Sequence, residues 1–308
     1  MNTTLYCPDI ECDSCAKVIS KTLSKTDGVS SHSVKGNTIA ITHDESKISV
    51  ENLISLIRHK GYRSSIESFT RKTFMERWRD FLENKQKYQV ERTMLKYGVY
   101  VLLILVFIEA LVYFTLFKNA EGFLQRYGWW ILYLDMAVVS IGSAMWHLRS
   151  YRGQVTSMVG MMVGMTFGMQ TGLMIGTIIA ATNGLFMGGM AGMIMATALG
   201  IYNGRCCGIM GVLEGIMAGI MGGLMGAMIG TMFFVDHIYL LMPVFMLLNL
   251  MVMWGLSTML YEEFVEDNEK TQKSPAKFSS LLGFSIITTT ILVALMVFGL
   301  KTGLARVF

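Results

Sequence analysis

Between Met158 and Met232 the chain is built largely from two residue types, with 19 glycines and 16 methionines in 75 residues. Only Arg205 and Glu214 carry formal charge within it. Gly160, Gly164, Gly168, Gly172 and Gly176 recur every fourth residue, and Met161, Met165 and Met169 each follow one of them. Each helical glycine costs about 1 kcal/mol relative to alanine, so a water-soluble helical core does not carry this many. A bilayer tolerates them, because it forces the backbone to bond internally and small residues let helices approach closely. Four residues turn an α-helix by about 400°, so the repeat drifts only about 40° per step and forms one slowly winding groove. The pattern returns in Gly184, Gly188, Gly192, Ala196, Gly200 and Gly204. It returns again in Gly211, Gly215, Gly219 and Gly223, with a second register at Gly222, Gly226 and Gly230. Three helices packed backbone to backbone are the expectation.

The rest of the chain fits a polytopic membrane protein. Of 308 residues, 53% are hydrophobic and 16% charged, and the mean hydropathy is +0.48, which excludes a disordered chain. Crossing a bilayer takes about 20 apolar residues, and seven such runs are predicted: 98–117, 128–147, 158–180, 184–203, 208–234, 238–260 and 279–299. The net charge of +4 is small and its basic residues flank helices, so the bilayer rather than nucleic acid is the expected partner. Residues 1–18 hold Asp9, Glu11, Asp13 and Lys17 without an apolar core, so no secretory signal is expected there. Residues 69–97 form a basic amphipathic connector with eight lysines and arginines. With Arg149, Arg152, Arg205, Lys270, Lys273 and Lys277 in loops of the same side, they place the N-terminus in the cytoplasm and the chain in the cell membrane, its C-terminus outside.

Residues 1–68 have a different character. Residues 3–7 alternate like a strand, and Cys15–Leu23 reads as a helix with Ala16, Ile19 and Leu23 on one face. Residues 29–34 and 38–42 form a hairpin around Gly36-Asn37, and a second helix runs from Val50 to Lys60, capped by Ser49. A last strand begins at Tyr62. The order is β-α-β-β-α-β, an α+β ferredoxin-like domain. Its chemistry centres on Cys12-Asp13-Ser14-Cys15, where two thiols share one loop-to-helix turn. A helix N-terminus favours thiolate ligands for a soft cation. Redox proteins share this C-x-x-C spacing. The order of elements, the spacing and Tyr62 together resemble the heavy-metal-associated domain of copper chaperones and of P-type ATPase tails, over residues 2–68. The resemblance implies that Cys12 and Cys15 bind one Cu(I) and pass it on by ligand exchange. That family carries Gly-Met-Thr before the first cysteine, where this chain has Asp9-Ile10-Glu11. Glu11 is similar to the carboxylate of zinc- and cadmium-type members, and Cys7 offers a further thiolate, so Zn(II) or Cd(II) is the alternative ion.

In the membrane region, thioethers are soft ligands that suit Cu(I). Met161, Met165 and Met169 stack about 100° from the glycine groove, as do Met217, Met221 and Met225, and both sets are candidate metal ligands. Weak, closely spaced sites are what conduction needs. Methionine is also adaptable filler. Cys206 and Cys207 fall on a predicted cytoplasmic hairpin and are candidate relay ligands. Glu214, in line with Met210, Met217 and Met221, is a costly intramembrane carboxylate and a candidate ligand or proton carrier. Asp236-His237 lie at the opposite mouth. Asp135 is expected inside the bundle, and His147 is expected to snorkel to an interface. No Asp-Lys-Thr-Gly motif, phosphate-binding loop or hydrolase triad is present, so no enzymatic activity is expected. The reading is a membrane protein that binds and transports Cu(I) between its C-x-x-C domain and a methionine-rich bundle. Its expected partners are the metal, its own N-terminal domain or a metallochaperone, and a second copy in a homo-oligomer. A metal sensor or packing scaffold is the reading from another class.

Overall fold

A computed structural model of the chain describes residues 2–8, 10, 13–60, 62, 64–66, 75, 79, 83, 88–118, 122–152, 157–205, 208–234, 237–261, 272–273 and 277–301. The chain divides into two compact units, Met1–Lys87 and Tyr88–Phe308.

The first unit contains β1 (Asn2–Tyr6), α1 (Asp13–Leu23), β2 (Val29–Lys35), β3 (Thr38–His43) and α2 (Val50–His59). Its antiparallel sheet has the order β1-β3-β2. Gly36 takes a φ of +55° at the tip of the β2–β3 hairpin, a backbone region that glycine enters without a Cβ penalty. Ser49 caps α2, its hydroxyl accepting from the backbone N–H of Asn52 at 3.3 Å. Leu5, Ile39 and Ile41 point from the sheet onto Ile19 and Leu23 of α1 and Leu53 and Ile57 of α2, all essentially buried. The period of two in the strands and of three to four in the helices puts these side chains on one face. The expected fourth strand is reduced, among the described residues, to a bridge in which Tyr6 and Ser65 exchange backbone bonds of 2.8 and 3.0 Å. It lies on the free edge of β1, so the ferredoxin-like strand order is kept.

Among the described residues of the second unit, seven helices are long and apolar enough to cross a membrane. They are α3 (Gln89–Val112, continued by a π-turn over Tyr113–Phe117), α4 (Phe123–Ser150) and α5 (Ser157–Asn183). They continue with α6 (Leu185–Gly204), α7 (Gly208–Met232), α8 (Ile238–Tyr261) and α9 (Phe278–Phe298). A short antiparallel pair, β4 (Tyr151–Arg152) with β5 (Gln272–Lys273), ties two connections together. The expected spans are right in number, but the first starts nine residues earlier than predicted. Val90 and Met94 are buried while Glu91 and Arg92 are half-buried, so the helix runs on past its apolar stretch. The expected hairpin over Ala181–Asn183 is still helix. The turn is made by Gly184 alone, whose φ of +101° suits glycine.

The glycines of α5, α6 and α7 face one another, as the four-residue repeat predicts. A Cβ added at Gly168 would lie 2.7 Å from the carbonyl oxygen of Gly215, and one at Gly200 2.5 Å from the same oxygen. One at Gly226 would lie 2.6 Å from the Gly172 carbonyl oxygen. Backbones touch here with no side chain between them, the arrangement small residues permit in membranes. The Thr177 hydroxyl adds an interhelical bond, donating to the Gly226 carbonyl at 2.9 Å. On the other flank, α9 packs on α3 and α4 through Val101, Leu105, Val139 and Leu281.

Candidate functional site

Cys15 is the described half of the cysteine pair. It stands in the first turn of α1, three residues into a helix whose N-terminal amides favour negative charge and anionic ligands. It is half-buried and packs against the domain core, as do Ala16 and Tyr62. Cys12 and Glu11 lie outside the described residues, as do Gly61 and the second pair, Cys206 and Cys207. Cys7, offered as a possible extra ligand, is fully buried just after β1 as part of the core, and its N–H donates to the Asn37 carbonyl at 2.8 Å. Among the described residues no three His, Cys, Asp or Glu side chains converge as a metal cage. The described geometry thus places one thiol, that of Cys15, in the first turn of α1, where the helix N-terminus favours a thiolate.

The methionines take a different position from the expected route. Met217, Met221 and Met225 are 59%, 53% and 46% exposed, and Met165 is 44% exposed, with Met161 and Met169 half-buried. Within one chain these thioethers line the outer faces of α5 and α7 rather than an interior path. The reason is steric: the glycine grooves close backbone on backbone, which turns residues about 100° away from the groove to the periphery. Met174 alone in the glycine–methionine tract is buried. The buried thioethers of the other membrane helices are Met94, Met145, Met242, Met246, Met253 and Met296, on α3, α4, α8 and α9. Sequence reading passed over these because they lie outside the glycine-grooved helices, in spans without a glycine repeat to draw attention to them.

Glu214 is half-buried on the outer face of α7, in register with exposed Met210, Met217 and Met221. His237 is exposed at the start of α8 with a φ of +47°, and Asp236 lies outside the described residues. Asp135 is buried, as expected. His147 corrects the expectation of snorkelling: it is buried in the α3–α4 contact, with its Nε2 3.5 Å from Glu91 Oε1. A carboxylate on the neighbouring helix gives the ring a partner that an interface position would otherwise supply.

A small ferredoxin-like domain presenting a cysteine at the head of its first helix, in one chain with seven membrane-length helices, defines a multi-pass membrane protein with an appended metal-binding domain. Residues 4–63 match the heavy-metal-associated domain family, and through this domain the chain belongs to it. The same region is 36% identical over 67 residues to the "Mercuric transport protein periplasmic component" of Pseudomonas fluorescens, covering 21% of this chain and 74% of that protein. No solved structure matches.

Proposed function

We propose that this protein carries a soft, thiol-binding metal ion across the membrane, with Cys12 and Cys15 as the capturing thiolates. One observation carries the reading: a domain of the heavy-metal-associated family and a seven-span unit are joined in one chain. A metal-binding domain alone buffers or shuttles ions; fused to a bundle of spans, it supplies cargo to a crossing. Cys206 and Cys207, in the turn between α6 and α7, are the next thiolates we assign to the route. Glu214 and the ladder of Met161, Met165, Met169, Met217, Met221 and Met225 become a route only where a second copy covers their outer face. We assign no enzymatic step.

Two soft ions compete for the role. The relative named for mercuric transport supports Hg(II). Methionine abundance supports Cu(I), but the outward placement of the ladder weakens that support in a single chain. Hg(II) is therefore our first reading and Cu(I) the second, both being thiolate-seeking ions. Competition on the purified full chain decides between them: Hg(II) displaces Cu(I) and Zn(II) on the first reading. Preferential retention of Zn(II), lost in Glu11→Ala, would transfer the assignment to a harder ion held by Glu11.

The distribution of basic residues supports a cytoplasmic N-terminal domain. In that topology all five cysteines face the cytoplasm or lie buried, the second pair following an even number of spans. Intact cells treated with a membrane-impermeant maleimide should therefore leave the chain unlabelled until they are permeabilised. Labelling of Cys12 or Cys15 before permeabilisation would place the domain outside.

A further inference from the structure

The sequence reading passed over Glu109, although it is an acidic residue inside an apolar span. In the structure it faces Asp135 across the contact of α3 with α4, and its Oε1 is buried without a hydrogen-bond partner. Asp135 is fully buried, and the hydroxyl of Thr289 on α9 donates to its Oδ1 at 3.5 Å. One turn earlier on the same face of α9, Ser285 is also fully buried and its Oγ has no partner, nor has Asp135 Oδ2. Three helices thus bring two carboxyl groups and the Thr289 hydroxyl together, with the buried Ser285 hydroxyl one turn away. Charged side chains in this setting are costly and by default functional.

An ionised carboxylate only accepts hydrogen bonds, so two carboxyl groups that face each other without other partners can bond only when one of them carries a proton. Two ionised carboxylates in contact would repel with no cation to offset them. None stands opposite: α5, α8 and α9 contain no Asp, Glu, Lys, Arg or His. Along α3 and α4 the nearest ionisable groups are Tyr113 and Tyr133, followed by Tyr127, to which Lys301 donates, toward one end and by His147, Glu91 and Tyr151 toward the other. Tyr151 donates to Glu91 Oε1, and the cluster stands about 18 Å from Asp135 along α4, twelve residues at 1.5 Å each. Between the two polar groups lies the apolar layer of Val101, Leu105, Val139 and Leu281. The pair is sealed from that end.

We propose that Glu109 and Asp135, supported by Thr289 and Ser285, form a proton-binding site inside the membrane unit that holds one proton between two carboxyl groups. The apolar layer keeps the proton from leaving toward the Glu91–His147 end until these helices part. Binding and release are a proton transfer between carboxyl oxygen and water, with no change in oxidation state. The site gives the chain a means of coupling helix movement to a proton gradient. It does not depend on which metal the protein carries.

Infrared difference spectra of the full chain reconstituted in lipid, without metal, test it. Near pH 7 exposed carboxyls, with ordinary values of about 4, are ionised. The wild type should then show one carboxylic-acid carbonyl band, absent from Glu109→Gln and from Asp135→Asn. Ser285→Ala should keep the band but shift its frequency, because its buried hydroxyl lies one turn from Thr289 on the same face of α9. Absence of the band in wild type, or its survival in both carboxyl variants, would overturn the site. So would its loss on adding Na+ or Zn2+ at constant pH, which would make the pair a metal site. Should the carboxyl variants fail to fold, the serine variant decides alone, and an unshifted band counts against the proposal. A chain that moves metal yet lacks the band loses only this inference; a chain with the band and no metal flux loses only the transport reading.

Discussion

Alanine at Gly219 is expected to destabilise the membrane unit by about 3 kcal/mol, the upper end of the cost of overpacking a core. Its Cβ would meet Thr197 N at 2.6 Å, Thr197 Cα at 2.7 Å and Ala196 C at 2.9 Å. All three are backbone atoms in the neighbouring helix, so no side-chain rotation relieves the clash. The two helices must separate, and the neighbouring glycine contacts on α5 loosen with them. Gly255 on α8 is the control: an added Cβ there meets nothing within 4 Å. At Gly255 alanine brings only its better helix propensity, about 1 kcal/mol in the stabilising direction. Unfolding of the reconstituted protein by graded SDS should show midpoints displaced in opposite directions. Equal behaviour of the two variants would mean that the glycine contacts do not hold the bundle together.

Joint replacement of Cys12 and Cys15 by serine is expected to lower the affinity of the full chain for a soft metal ion by at least about a hundredfold, or about 2.8 kcal/mol. Serine keeps the size of the side chain but replaces a soft, ionisable thiol with a hard hydroxyl, which soft cations bind poorly. Cys15 is half-buried rather than part of the innermost core, so the fold should survive. Cys7, by contrast, is wholly buried among Leu5, Ile10 and Ile39. Isothermal titration of both variants separates the roles. Cys7→Ser should lose stability and keep affinity, whereas the double variant should do the reverse. Retained affinity in the double variant would move the capturing site to Cys206 and Cys207 or to the thioethers.

The contrast between glycines and methionines marks what the sequence could and could not reveal. A four-residue glycine repeat has one physical meaning in a helix, a groove that admits another backbone, and α5, α6 and α7 meet along it. The angle between groove and methionine was equally readable. Which neighbour, if any, covers the methionine face depends on how three helices are arranged in space, and periodicity within one helix carries no such information. Met217, Met221 and Met225 therefore kept their expected spacing while facing outward. Glu109 was legible as a lone acid in an apolar span, but its partner lies 26 residues away on another helix and Thr289 154 beyond that. In the N-terminal unit both helices and the hairpin followed from local periodicity and the Ser49 cap. The last strand is a single described bridge at Ser65, because edge pairing with β1 is a tertiary contact.

On this reading the chain moves a soft metal ion across a bilayer, with its N-terminal thiols capturing it first. Liposomes containing the purified full chain, loaded with a thiol-based metal indicator, measure this directly. Added Hg(II) or Cu(I) should enter much faster than into empty liposomes, with Zn(II) slow, and the Cys12→Ser, Cys15→Ser double variant should lose most of the rate. Tight binding by the wild type with entry no faster than into empty liposomes would contradict transport and leave a membrane-bound metal sensor.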